Sequence, residues 1–214
     1  MLISAVMPIK LQNERLPGKN TKMLGDKPLI QYQLDALIEL KLCDTISVFC
    51  SDESITSFLP EDVKFVKRCS SLDLPTSNFT QIFSSFVQLI DSDIYIYIHA
   101  TAPFITVNTI KICIDAVKSG KYDSAFSAIK IQDFLWYKGK PVNFNAKNIP
   151  RSQDLTPAYK ETSGVYVFPK STFEKYKRRV GISPFICEVS FKESIDINTL
   201  EDFILAETLL NLNL

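Results

Sequence analysis

Lys10, Arg15, Lys19 and Lys22 fall within one short stretch around the turn-forming pair Pro17-Gly18, and Glu14 is the single acid among them. Cations clustered on such a loop suit a polyphosphate, which needs several donors held at once. Charge alone is equally compatible with a solvated basic loop. Near the other end of the chain, Asp196 and Asn198 stand at i and i+2. On an extended segment that spacing puts two oxygen-bearing side chains on one side, an arrangement that suits Mg²⁺ bridged to phosphate oxygens and completed by water. Asn198 also has the type and place of an N-cap for the helix that follows, and Glu201 three residues later would complete a capping box. Asp196 has no such structural duty. His99, the only histidine, sits at a strand end, where hydrogen bonding or packing is its ordinary work. Arg151 can offer forked donors to a carboxylate.

These groups need a frame. Leu2 to Met7 is an apolar run closed by Pro8 with no helical period, which reads as a buried first strand. The loop leaving the carboxyl end of such a strand is where open α/β sheets place their ligand. Pro28 to Leu40 spaces Ile30, Leu34, Leu37 and Ile38 as an amphipathic helix that starts at a proline. Thr45 to Cys50 and Val63 to Val66 read as strands, Thr76 to Ile90 as a helix, Ile94 to Ile98 as a central strand and Thr106 to Val117 as another helix. That alternation predicts an α/β fold with a doubly wound, mostly parallel sheet.

The second half changes character. Asp123 to Ile131 reads as a strand, and Phe134 to Pro157 as an irregular excursion carrying Trp136, Tyr137 and Gly139. Gly164 to Phe168 and Phe185 to Val189 return to strand, with a helix predicted over Ser171 to Arg179 between them. A last helix spans Thr199 to Leu210, with Leu200, Phe203, Ile204 and Leu210 on one face.

Composition narrows the function classes. The 214 residues suit a single domain with a sizeable core, and 24 basic residues balance 24 acidic ones. A neutral chain has no global field to draw it to nucleic acid or an anionic membrane, so any anion site is local and neither partner is expected. Five cysteines, without a C-x-x-C pair or metal-type spacing, fit a reducing compartment. The N-terminal apolar run is too short for a signal peptide and nothing reaches the length of a membrane span, so a cytoplasmic protein is expected.

The motifs, taken in order, resemble those of the cytidylyltransferases that activate nine-carbon keto sugar acids, the CMP-sialic acid synthetase family with its pseudaminic and legionaminic relatives. The loop ending Arg15-Leu16-Pro17-Gly18-Lys19-Asn20 and the following Gly25-Asp26-Lys27-Pro28-Leu29-Ile30 are similar to the family's first loop and its G-x-K-P-L-I segment. Thr101-Ala102-Pro103-Phe104 stands where the family has T-S-P-L. Gln153-Asp154-Leu155 and Glu161-Thr162-Ser163-Gly164-Val165-Tyr166 resemble its R-Q-D-L-P and E-x-G-x-x-Y pieces, and Asp196-Ile197-Asn198-Thr199-Leu200-Glu201-Asp202 its D-I-D-x-x-E-D.

The resemblance implies a sheet of the nucleotide-diphospho-sugar transferase type and transfer of CMP from CTP to a sugar acid, with Mg²⁺ as cofactor and pyrophosphate released. It places Lys10, Asn13, Arg15 and Lys19 on the triphosphate, Arg68, Ser77 and Asn78 near the base and ribose, and Asp196 with Asn198 on the metal. His99, Thr101, Arg151, Gln153 and Tyr166 fall to the acceptor, and an excursion over about 132–160 to a homodimer interface that closes the neighbour's acceptor site. Ser77 or Thr76 has also the type to cap the next helix. Where the family's usual loop reads A-R-G-G-S-K, this chain has Ile9-Lys10-Leu11-Gln12-Asn13-Glu14. Without those glycines the grip on phosphate passes from backbone N–H groups to side chains. An eight-carbon or other unusual keto acid as acceptor, and a nucleotide-binding protein that has lost turnover, are the alternatives. A glycosyltransferase would want an aspartate-x-aspartate after the central strand, where this chain has His99-Ala100-Thr101.

Overall fold

The computed structural model describes residues 1–212. Seven strands make its main sheet: β1 (Ile3–Ile9), β2 (Thr45–Cys50), β3 (Val63–Lys67), β4 (Ile94–Ile98), β5 (Ser124–Ile131), β6 (Ala158–Pro169) and β7 (Pro184–Glu188), in the spatial order β7-β5-β6-β4-β1-β2-β3. β6 runs antiparallel to both its neighbours and every other pairing is parallel. The sheet is therefore mixed and mostly parallel, as expected.

Alternation along β1 builds two layers. Ile3, Ala5, Met7 and Ile9 point into a core with α1 (Leu29–Leu40) and α3 (Val107–Lys118), whereas Val6 points into an aromatic layer on the opposite face. The second layer centres on Phe83 of α2 (Phe79–Phe86), which meets Tyr95, Phe168 and Phe173 edge-on at centroid distances of 5.0, 5.1 and 4.7 Å. A satellite core of Leu24, Leu29, Phe104, Ile195, Ile197, Phe203 and Ala206 seats α5 (Leu200–Asn211) beside the loops at the carboxyl end of the sheet.

Several element boundaries differ from the sequence expectation. β1 continues through Pro8 because its ladder to β2 reaches Ile9, although the ladder to β4 stops at Val6. α2 starts only at Phe79, since Asn78 accepts from Gln81 N (3.1 Å) in a capping box and so takes the role expected of Ser77 or Thr76. α4 (Lys170–Tyr176) stops short of Arg179 because Lys177 adopts a left-handed conformation, φ 54°. In α5 the buried residues are Phe203 and Ala206, while Leu200 and Ile204 are both 53 % exposed, so the expected apolar face is rotated.

Candidate active site

β1 and β4 are sheet neighbours, yet the chain leaves β1 toward β2 and returns to β4 on its other side. Loops diverge at such a switch point and leave a crevice at the carboxyl ends of the strands. The Lys10–Gly18 loop rises from β1 and is tied down from three directions. Asn20 Nδ2 donates to the Lys10 carbonyl at 2.9 Å, Gly18 makes the return with φ 66°, and the Arg68 guanidinium donates to the Ile9 carbonyl at 2.8 Å. From the other strand, the loop Thr101–Ile105 is held by buried Gln33 of α1, whose Nε2 donates to the carbonyls of Ala102 (2.7 Å) and Ile105 (3.2 Å).

The turn 196–198 is locked between those two loops. Ile197 is fully buried, its N–H donates to the Thr101 carbonyl at 2.7 Å, and its own carbonyl accepts from Lys19 Nζ at 2.9 Å. Arg15 donates to Asn198 Oδ1 (2.9 Å), and Asn198 Nδ2 donates to Asp196 Oδ2 (2.7 Å). The amide of Asn198 thus has one orientation, since a flip would turn its N–H₂ toward the guanidinium. The expectation that Asn198 caps the last helix fails. Thr199 is the cap, with Asp202 rather than Glu201 closing the box, and the Asp202 carboxylate also accepts from Asn198 N at 2.9 Å.

Burial shifts the ionisation of this cluster. Lys19 is pushed below its usual range first by desolvation and further by Arg15, against the pull of Asp196 and Asp202. Asp196 Oδ1 has no solvent contact and no partner, a state that a buried carboxylate oxygen tolerates poorly without a cation. No group of three or more His, Cys, Asp and Glu side chains gathers for a metal among the described residues. Any ion at Asp196 would therefore take most of its ligands from phosphate and water, which is the habit of Mg²⁺.

Two adjoining cavities open beside the Lys10–Gly18 loop, with Arg15, Lys19 and the 196–198 turn outside their linings. The larger, about 1070 Å³, lies between the Lys10–Gly18 loop and a wall that includes Ser51, Asp52, Lys67 and Asp73. The smaller, about 320 Å³, is lined by residues including Arg68, Ser77, Tyr97 and His99, and the two share Lys10, Asp73, Leu74 and Pro75. Pockets of about 300–1,000 Å³ are the usual size for small-molecule ligands. A model of the cytidylyltransferase family matches residues 5–214, almost the whole chain. The chain belongs to the cytidylyltransferase family.

Among its relatives, a CMP-N,N'-diacetyllegionaminic acid synthase from Legionella pneumophila is 28 % identical, with 100 % of this chain and 98 % of the relative covered. A pseudaminic acid cytidylyltransferase from Campylobacter jejuni is 24 % identical over 97 % of this chain and 96 % of its own length. An N-acylneuraminate cytidylyltransferase from zebrafish, Danio rerio, is 26 % identical over 96 % of this chain, which spans only 50 % of that protein. The fold is similar to that of CMP:2-keto-3-deoxy-manno-octonic acid synthetase solved with CTP, at TM-score 0.76 and 15 % identity with both chains fully covered.

In this cytidylyltransferase the sequence-predicted residues divide. Lys10, Asn13, Arg15, Lys19, Asp196 and Asn198 converge on the loop and turn just described, and Asn13 lines the larger cavity with a buried, unpartnered Oδ1. Arg68 is 3 % exposed and lines the smaller cavity; one terminal nitrogen serves both Asp73 and the Ile9 carbonyl, while its Nε is buried without a partner. Ser77 lines the smaller cavity, while Asn78 is committed to its helix. Thr101 contributes its carbonyl to Ile197. Arg151 is exposed and forked onto Asp154 at 2.7 and 3.2 Å, and neither it nor Gln153 lines these two cavities. Tyr166 is buried, donating to Glu161 Oε2 at 2.7 Å. His99 packs edge-on to Tyr97 at 5.2 Å, and desolvation, with Arg179 and Lys19, lowers its pKa to about 3. It is neutral at physiological pH, with Nε2 sealed and unpartnered. Gln33 and Arg179 escaped the sequence reading.

Proposed function

We propose that this cytidylyltransferase transfers CMP from CTP to a nonulosonic, sialic-type keto sugar acid and releases pyrophosphate, working with Mg²⁺ as a cytoplasmic homodimer. The names of the legionaminic, pseudaminic and neuraminate relatives support the acceptor class. Among the described residues no helix is long and apolar enough to cross a membrane. The observation that carries the chemistry is the tie of loop cations to the Asp196 turn, Lys19 to Ile197 and Arg15 through Asn198 to Asp196.

In the reaction a hydroxyl oxygen of the acceptor forms a bond to the α-phosphorus as the bond from that phosphorus to the pyrophosphate oxygen breaks, and the hydroxyl proton passes to solvent water. Negative charge grows on the departing pyrophosphate. Lys10, Arg15 and Lys19 offset it, and because their loop is fixed before substrate arrives little reorganisation is needed. Asp196 Oδ1 would hold Mg²⁺, which supplies further neutralisation of phosphate oxygens. Asn198, engaged at both ends, orients Asp196 and Arg15. His99 is too weakly basic to take the hydroxyl proton near neutral pH and serves instead as a neutral wall for the sugar.

The test is pyrophosphate release with Mg²⁺, each of the four nucleoside triphosphates and a panel of legionaminic, pseudaminic, sialic and eight-carbon keto acids. CTP-dependent release with a nine-carbon acid is expected. Release only with an eight-carbon acid, or none with any acid, would refute the assignment.

A further inference from the structure

Arg179 lies in the loop between α4 and β7, outside every motif considered above. Its guanidinium carbon sits 3.8 Å from the centroid of the Tyr166 ring, 5.5 Å from Phe79 and 5.9 Å from Tyr97, and one terminal nitrogen donates to Tyr166 Oη at 3.0 Å. The aromatic rings hold a cation well but supply no counter-charge. Among the described residues no carboxylate comes within ion-pair distance of it, and that single bond to Tyr166 leaves four of the guanidinium's five N–H donors unused.

The placement is built rather than incidental. Lys177 ends α4 in a left-handed turn, its carbonyl accepting from Thr80 Oγ1 of α2 at 2.7 Å. Two residues beyond Arg179, Gly181 passes so close to Asp123 that a Cβ there would overlap the carboxylate, and that carboxylate accepts from Ile182 N (2.6 Å) and Ser183 N (3.0 Å). A short segment pinned on both sides thus presents one half-buried cation to the rings of Tyr97 and Tyr166. His99 packs on the same two rings, at 5.2 and 6.4 Å, and lines the smaller cavity with Tyr97.

We propose that Arg179 is the cation that receives the carboxylate of the acceptor, with Tyr97, Tyr166 and His99 forming the wall beside it. The assignment rests on the reading of the substrate as a keto sugar acid. It moves acid recognition from Arg151, which is exposed and already forked onto Asp154, to a preorganised cation stacked on Tyr166 and on Tyr97, the second of which lines the smaller cavity. A forked guanidinium–carboxylate pair also fixes the rotation of the sugar, and with it the position of the attacking hydroxyl.

The test compares the full-length wild type with Arg179→Gln and Arg179→Lys, using a sialic-type keto acid and its C1 carboxamide as acceptors and thermal melting as the stability control. Arg179→Gln is expected to raise KM for the acid about 10–100-fold with KM for CTP and the melting temperature little changed, the range typical of a lost charge-assisted bond. Wild type should prefer the acid over the carboxamide by a similar factor, Arg179→Gln should show no preference, and Arg179→Lys should recover part of it. An active wild type whose Arg179→Gln variant retains acid KM, or keeps its preference for the acid, overturns the assignment. So does a variant that loses both KM values and melting temperature together, since Arg179 would then only hold Tyr166. A wild type that turns over no keto acid at all refutes the functional reading, and this assignment with it.

Discussion

Lys19 Nζ donates to the backbone carbonyl of Ile197 at 2.9 Å across 178 positions of sequence, joining the loop after the first strand to the turn before the last helix. The bond fixes a cation beside Asp196 at the cost of burying it, and burial is what lowers its pKa.

Lys19→Met should therefore lower kcat/KM for CTP by about 10²–10³-fold, the scale for losing one preorganised charge stabiliser. It should also cost about 1–3 kcal/mol in urea unfolding by leaving the Ile197 carbonyl without its donor. Since the folded lysine releases its proton below the ordinary 10.5, wild-type kcat/KM for CTP should fall on the alkaline side before that pH. A pH profile flat up to 10.5, with Lys19→Met at wild-type activity, would remove Lys19 from the machinery.

The strand and helix order was legible in the sequence because hydrophobic period and length separate the two clearly: Thr45–Cys50 and Ile94–Ile98 appear as read. The convergence of Lys10, Arg15, Lys19 and Asp196 followed from motif order, but the burial of Lys19 did not. That depends on Ile197 entering the satellite core, a contact with no local signature. Caps were misread where two eligible side chains were adjacent, as at Ser77-Asn78 and Asn198-Thr199, since either residue satisfies the composition rule and tertiary contacts decide. Arg179 was hidden inside a predicted helix that Lys177 ends early. Arg151 has the type and motif for an acceptor contact and is engaged by a neighbouring aspartate, a partner three residues away that its motif does not announce.

Asn198→Asp supplies the second carboxylate while keeping the size of the side chain. It would accept from Arg15 as Asn198 does but would face Asp196 with like charge, a repulsion that a metal relieves. The Mg²⁺ concentration for half-maximal turnover should fall about tenfold, since charge count sets affinity in oxygen sites. Without Mg²⁺ the variant should melt below the wild type. Titration of activity against Mg²⁺, together with melting curves with and without the ion, checks both; an unchanged Mg²⁺ requirement would separate residue 198 from the metal.

Within the excursion, Trp136 and Tyr137 are 60 % and 66 % exposed, and Phe144 packs edge-on against Trp136 and Phe134 at 5.4 and 5.0 Å. An apolar patch held in fixed geometry is what an interface needs. The pair Trp136→Ser and Tyr137→Ser should weaken self-association about 100-fold, as loss of aromatic anchors does. Sedimentation equilibrium should then report a monomer at concentrations where the wild type is a dimer. A wild type that sediments as a monomer would sink this expectation.

His99 links the site to acid stability. Desolvation leads, with Arg179 and Lys19 adding to it, and together they lower the pKa from 6.5 to about 3. The unfolded chain therefore binds a proton on His99 between those values that the folded protein refuses. The stability this contributes is fully present above pH 6.5 and is lost as pH falls toward 3. At pH 5 the loss from this one group is about 2 kcal/mol. His99→Gln keeps a hydrogen-bonding side chain and carries no titrating proton, so its unfolding free energy should fall less than that of wild type between pH 7 and pH 5, by about that amount. Urea unfolding of both proteins at the two pH values measures the difference directly. Parallel losses in the two proteins would mean that His99 takes up its proton in the folded state, and the neutral wall assigned to it beside the acceptor would have to be abandoned.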